Sequence, residues 1–517
     1  MNKVQQINQI IYSDHNLQFV KLWSSPHVLV HEDANEKGIF IAEENRFQGK
    51  YRKAYLLDSR GKYISQREFT FIDKFQDGMA RIYQYEQGDG FINRHGKVVF
   101  EPVYDEVQNF HNGYGFGKKN NRWHLLNKTG STIPLPENYK QLGVMENGRC
   151  AFSTIKEDDC LYSAFFSSAR ELFGICGFFD DNGNEVIKPQ YMTVKNFIGD
   201  YAVVGKVYGG KLEDAKDWSL KDTLYGVIDQ NGNEIIPCQY RDIDTFYHIK
   251  NLFKVLVGDR NSGKWGIMDQ NGNWVVQPQF PQIEDELKNG CFVFSQHNTV
   301  YDYDECEKNI FGIYDFFNRK TLIEPQFSRV EILDNNLFLV EKINADGNQI
   351  AQIIDRSGNA LYPSDYSTIY YSKTHPNIVC KKHKNDESYG LITLDGSVIL
   401  PCKYKLYHRY PASSVLPEEK LVVFEENGLS GLMDFDQNIL IPPSDFTLNH
   451  LTKNLFTFDK IITTGYLTQS LIFGIISSSG KIILPAEYDW IYTGSDHKLI
   501  AQTHDRTDVF EVRDVSV

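Results

Sequence analysis

A stretch of seventeen residues, LYGVIDQNGNEIIPCQY at 224–240, recurs along the chain, and that recurrence constrains the fold more than any other feature. Close copies are DGFINRHGKVVFEPVY (89–104), CGFFDDNGNEVIKPQY (176–191), WGIMDQNGNWVVQPQF (265–280), YGLITLDGSVILPCKY (389–404) and FGIISSSGKIILPAEY (473–488). Looser copies at 54–69, 123–139, 311–327, 351–366 and 430–446 bring the number to eleven. Their turn positions fall at 61, 96, 130, 183, 232, 272, 318, 358, 396, 437 and 480, spaced 34 to 53 residues apart. A period near 40 that stretches without breaking predicts one tandem array over 46–507, where length alone would suggest about three domains.

Each column has a physical reading. A glycine follows the first residue in eight copies (Gly90, Gly177, Gly226, Gly266, Gly312, Gly390, Gly431, Gly474). Glycine weakens a strand, so its return there predicts close approach of a neighbouring backbone or ring, with repeat packed on repeat. Two apolar residues come next, then a short side chain that can accept backbone N–H bonds, as Asp180, Asp229 and Asp269 do in their copies. Asn93, Asn127, Thr393 and Ser477 share that column, a mixture that suits a turn and not a catalytic or charged metal-binding role. Three residues later stands the turn glycine, such as Gly183, Gly232 or Gly272, able to adopt the positive φ of a short hairpin. A second apolar strand then runs to a proline and an aromatic, Pro237 and Tyr240 for example, where the missing N–H should stop the ladder.

This frame, G-x-h-D-x-x-G-x-x-h-h-P-x-Y/F with h apolar, resembles the WG-repeat family of bacterial proteins, although Trp-Gly itself stands only at Trp265–Gly266. The resemblance implies a β-rich repeat without known catalytic residues, often used as an accessory or interaction region.

The fold class expected is all-β: about eleven hairpin or three-stranded units, each burying its apolar face on its neighbours. An open superhelical solenoid is the first choice and tandem propeller-like rings the alternative. Residues 1–45 are expected to cap the first repeat, and 508–517 to supply a capping strand for the last.

Composition narrows the function. With 54 basic and 68 acidic residues the formal charge is −14, and no basic stripe is present, which disfavours a nucleic-acid binder. No window approaches the roughly 18 apolar residues of a membrane helix and no secretory leader is visible, so a cytoplasmic protein is expected. Eight cysteines are scattered without a C-x-x-C pair, and neither a zinc site nor a disulfide framework is predicted. DDNGNE (180–185) and NADGNQ (344–349) lack the ligand set of a calcium loop, and GDRNSGKW (258–265) places Trp265 where a phosphate loop needs Ser or Thr. Ser430 in GLSG (428–431) belongs to the repeat and not to a nucleophile elbow.

Function, on this reading, is non-catalytic and needs no cofactor or metal. The long inter-copy loops are where partner contacts are expected, since insertions in arrays project from one face. Tyr208, Trp218, Tyr301 and Tyr303, with Asp302 and Asp304, are the candidate contacts, and their acidic surroundings favour a basic protein or peptide partner. A glycan- or cell-wall-fragment-binding module is the alternative, and an enzyme built on the acidic loops a distant third.

Overall fold

The structure, a computed structural model, describes residues 5–13, 17–26, 28–44, 53–65, 67–155, 171–208, 223–246, 249–297, 309–333, 336–344, 347–361, 366–371, 377–382, 387–406, 411–463 and 469–514. Apart from one short 3-10 turn at Pro411–Ser414, every regular element among them is a β-strand, and the sheets are antiparallel throughout. The protein is all-β.

The hairpin expected of the copies is present in nine of them among the described residues, and in the four-stranded sheets it is joined by two strands from the less regular stretch that precedes it. Phe71–Gln76, Met79–Gln84, Gly88–Asn93 and Val98–Tyr104 form one such four-stranded meander. Asp242–Thr245, Leu252–Val257, Lys264–Asp269 and Trp274–Phe280 form another. A structural sheet is therefore offset from the sequence copy: the copy supplies its last two strands.

The eight glycines between their flanking columns explain why the second strand of the hairpin is complete. In the copy at 224–240 the register slips from Tyr225↔Tyr240 to Val227↔Ile236, which marks a bulge around Pro237. A Cβ on Gly226 would lie 2.5 Å from the Ile236 carbonyl oxygen and 2.8 Å from the Cys238 nitrogen. The same shift occurs in all eight hairpins that carry this glycine. Two expectations are corrected. The glycine makes room for its own sheet's bulge before anything on another repeat, and the proline does not end the strand, because a bulge is where a strand tolerates a residue without N–H. The strand runs on, so the aromatic at its end pairs with the residue before the glycine, as Trp265↔Phe280 and Phe473↔Tyr488 do.

Apolar clusters fill the spaces between successive sheets. Val203, Val227 and Ile236 of one sheet pack with Ile243, Val255 and Met268 of the next. Met268 and its neighbours on Lys264–Asp269 alternate, so Trp265 and Ile267 face the following sheet with Phe292 and Tyr314. Burying side chains of this size contributes roughly 1.5–3 kcal/mol each, enough that no sheet is stable without its neighbours.

The chain divides into two compact units, 1–109 with 366–517, and 110–365. In the first unit both chain ends enter one five-stranded sheet, ordered Gln5–Ser13, Leu17–Pro26, Arg506–Asp514, Lys498–Thr503, Trp490–Thr493. The segment expected to act as one N-terminal cap thus divides its roles. Val28–Glu32 and Ile39–Glu44 pair onward to Ala54–Asp58 of the first copy, while Leu17–Pro26 pairs with Arg506–Asp514. Asp508, wholly buried at this seam, accepts from Ser24 Oγ at 2.6 Å and Tyr488 OH at 2.8 Å and meets Lys21 Nζ at 2.8 Å. Burial alone would raise its carboxyl, and the bonds from Lys21, Ser24 and Tyr488 outweigh burial and hold it below the usual carboxylate range.

Candidate interaction surface

The turn residues spend their hydrogen bonds on the fold. Asp229 Oδ1 accepts the N–H groups of Asn231 at 2.9 Å and Asn233 at 2.8 Å, and its Oδ2 accepts Asn233 Nδ2 at 2.8 Å. Gly232 closes the turn with φ +83° and donates its N–H to the Asp229 carbonyl. Asp180 with Gly183 and Asp269 with Gly272 repeat the arrangement. These bonds hold the Asp180, Asp229 and Asp269 carboxyls below their ordinary range, outweighing the opposing effect of burial. The 344–349 stretch closes in the same way, Asn348 N–H donating to Asn344 Oδ1 at 2.8 Å. After 258–263 the chain enters the strand Lys264–Asp269, and Ser430 Oγ, 2% exposed, accepts the Leu448 N–H. No group of three or more potential metal ligands occurs among the described residues.

Of the loop residues singled out as partner contacts, Tyr208 is 65% exposed, with the Arg241 guanidinium 5.8 Å from its ring centroid. Trp218, Tyr301, Asp302, Tyr303 and Asp304 lie outside the described residues.

A charged network that the repeat frame does not announce runs across three neighbouring sheets of the second unit. Its carboxylates Asp242, Asp244, Glu284 and Asp285 sit on the first strands of two of those sheets, Lys254 on a second strand, and Glu171 and Lys195 on two middle strands of the third. Asp244 lies opposite Lys254 in the strand pair Asp242–Thr245 and Leu252–Val257. Its Oδ2 is 3.4 Å from Lys254 Nζ and its Oδ1 3.6 Å from Lys195 Nζ, which reaches it from the preceding sheet. Lys254, only 4% exposed, also meets Asp285 of the following sheet and stands 5.6 Å from the Phe246 ring centroid. Thr193 Oγ1 donates to Glu171 at 2.8 Å beside Lys195.

Negative charge is in excess here: Glu171, Asp242, Asp244, Glu284 and Asp285 surround Lys195 and Lys254, with Arg260 beside Tyr225 as a third cation. Burial raises the Glu171 carboxyl, with Asp242 and Asp244 adding to the shift against Lys195. Glu284 is raised in the same way, by burial and then by Asp285. Asp244 falls below its usual range, because Lys254 and Lys195 together overcome its burial. The surplus of carboxylates, with Asp285 largely exposed among them, marks a place where an incoming cation would be stabilised.

Solved structures resemble the protein only loosely. They include a eukaryotic initiation factor (12% identity, 69% of this chain and 98% of that one, TM-score 0.32) and the tricorn protease (10%, 100% and 62%, 0.22). PorZ, a surface component of the type-IX secretion system of Porphyromonas gingivalis, is a third (10%, 98% and 86%, 0.19). The chain matches no curated protein. The model of the WG containing repeat matches residues 90–123, 177–206, 225–260, 265–299 and 473–493. Each of these begins within two residues of a column glycine whose hairpin carries the bulge, and these five segments of the chain are WG containing repeats.

Proposed function

We propose that the protein is a non-catalytic, cytoplasmic repeat scaffold that docks a basic segment of a protein or peptide on the acid-rich strands of its second unit. The observation that carries this reading is the excess of five carboxylates, Glu171, Asp242, Asp244, Glu284 and Asp285, over the three cations Lys195, Lys254 and Arg260. A Lys- or Arg-rich segment would offset the negative charge that Asp242, Asp244 and Asp285 add to the effect of burial on Glu171 and Glu284, and its association would be steered by charge and weakened by salt.

Fluorescence anisotropy of a labelled Lys/Arg-rich peptide tests it. Binding should weaken as salt rises, and the double variant Glu284→Gln/Asp285→Asn should weaken it further, about tenfold, because Asp285 is largely exposed and its loss spares the core. Equal binding of a neutral peptide of the same length, or a salt-independent affinity, would sink the proposal.

One observation favours a glycan-binding reading instead. Trp490 is 66% exposed and its ring is stacked on Phe473, with centroids 6.4 Å apart, a surface on which a sugar ring could lie. Titration with soluble glycans that leaves the tryptophan fluorescence flat would remove it.

A further inference from the structure

Cys380 and Cys402, 22 residues apart in sequence, come together in the first unit with their sulfurs 3.6 Å apart. They lie on the strands Asn377–Lys381 and Val398–Leu406, which flank Ser388–Thr393 on either side. Between them is a column glycine: Cys380 is the cross-strand neighbour of Gly390, and a Cβ on Gly390 would stand 2.8 Å from the Cys402 sulfur. The absence of that Cβ lets two side chains from next-nearest strands touch.

An internal control exists in the same molecule. Cys238 occupies the position of Cys402 in its own copy, after the proline and 2.8 Å from the Cβ that Gly226 lacks. The position facing Gly226 is held by Val204, and the Cys238 sulfur points to the Val204 carbonyl at 3.9 Å. Two copies thus carry the Pro-Cys sequence, and one of them carries a second cysteine where the first can reach it.

We propose that Cys380 and Cys402 form a reversible disulfide when the protein meets hydrogen peroxide. Cys402 is partly exposed while Cys380 is wholly buried, so the oxidant reaches Cys402 first. The Cys402 sulfur attacks peroxide, breaking the O–O bond to give a sulfenic acid and water. The Cys380 sulfur then attacks that sulfenic sulfur, forming the S–S bond and releasing the second water. Overall two thiols and one peroxide give one disulfide and two waters, the two sulfurs each losing one electron and the peroxide gaining two. The strand between them holds the two outer strands about 9.5 Å apart, beyond the roughly 7 Å that a disulfide's α-carbons span, so closing the 3.6 Å gap between the sulfurs draws both flanking strands toward Gly390 by about 2–3 Å in total and leaves a strained, readily reduced link. The Cys380 thiol is pushed far up by its hydrogen bond with Cys402 and by burial, which makes the second step the slow one.

The experiment treats the reduced full-length protein with hydrogen peroxide, quenches it with an alkylating reagent under denaturing conditions, and maps the peptides by mass spectrometry. The expected result is a linked Cys380–Cys402 peptide, reversed by dithiothreitol and absent from Cys380→Ser and Cys402→Ser, with Cys238 alkylated throughout. Circular dichroism of the two variants keeps misfolding from passing as loss of the link. The proposal is overturned if Cys402 proceeds to sulfinic acid while Cys380 stays alkylatable, if both remain alkylatable, or if Cys238 is linked as readily as Cys402.

Discussion

The copy at 224–240 and the copy at 123–139 differ in one position that decides the edge of their sheets. The first has Gly226, a bulge, and a second strand running Glu234–Tyr240. The second has His124 in the glycine column, no register shift, and a second strand of three residues, Thr132–Pro134. The other two copies without the glycine carry Tyr55 and Gln352. Among the described residues their second strands reduce to single bridges, Leu57↔Tyr63 with Ala54↔Phe69, and Ile354↔Ala360. The glycine between the repeat's first residue and its apolar pair therefore acts as a spacer for a carbonyl oxygen, and its loss shortens the outer strand.

Breaking this spacer should have the largest effect. Gly226→Val should destabilise its sheet by about 3 kcal/mol through overpacking against the Ile236 carbonyl. Hydrogen exchange should show Glu234–Tyr240 losing protection while Trp274–Phe280 of the next sheet loses less. An unchanged Glu234–Tyr240 would mean that the bulge does not depend on the glycine.

The turn should matter less than the spacer. Asp229→Ala removes two backbone acceptor bonds at an exposed turn where water can replace them, so a loss of about 1 kcal/mol is expected by thermal or denaturant unfolding. A loss as large as that of Gly226→Val would reverse the ranking.

Acid should sharpen the comparison between copies. The Asp229 carboxyl is held below its usual range when folded, so its contribution is fully present above the unfolded value of about 3.9 and disappears as pH falls through the lower folded value. As pH falls below about 4, the Asn231 and Asn233 amides should lose exchange protection relative to Lys481, whose N–H is held by the Ser477 hydroxyl. Equal loss at both turns would assign the effect to general acid unfolding.

The reverse substitution should do least. His124→Gly supplies the spacer without the matching proline register, so the strand at Thr132–Pro134 should not lengthen. The expected cost is about 0.5 kcal/mol from backbone entropy alone. A gain of protection beyond Pro134 would show that glycine is sufficient as well as necessary.

Repetition makes the turns and the column glycines legible in the sequence, because eleven versions of one hairpin reveal which positions tolerate only small or turn-forming residues. The proline was legible and its consequence was not: a missing N–H predicts a strand end, while the bulge that accommodates Pro237 depends on a glycine eleven residues earlier and across the hairpin. The charged network escaped for a different reason. Lys195, Asp244, Lys254 and Asp285 lie outside the repeated frame, and only the stacking of sheets brings residues 90 positions apart into one line. Cys380 and Cys402 are hidden likewise, since their meeting runs over a residue that has no side chain.

The seam at Asp508 sets the timetable of biosynthesis. Leu17–Pro26 emerges early, yet its partner Arg506–Asp514 is made some 480 residues later, roughly 25–100 s on at ribosomal speed. Residues 110–365 leave the ribosome entirely within that interval, so the second unit can finish folding while the first still waits for its closing strand. Until then the hydrogen-bonding edge of Leu17–Pro26 stands open, and the nascent chain needs either a chaperone or charge repulsion to keep that edge from pairing with another copy.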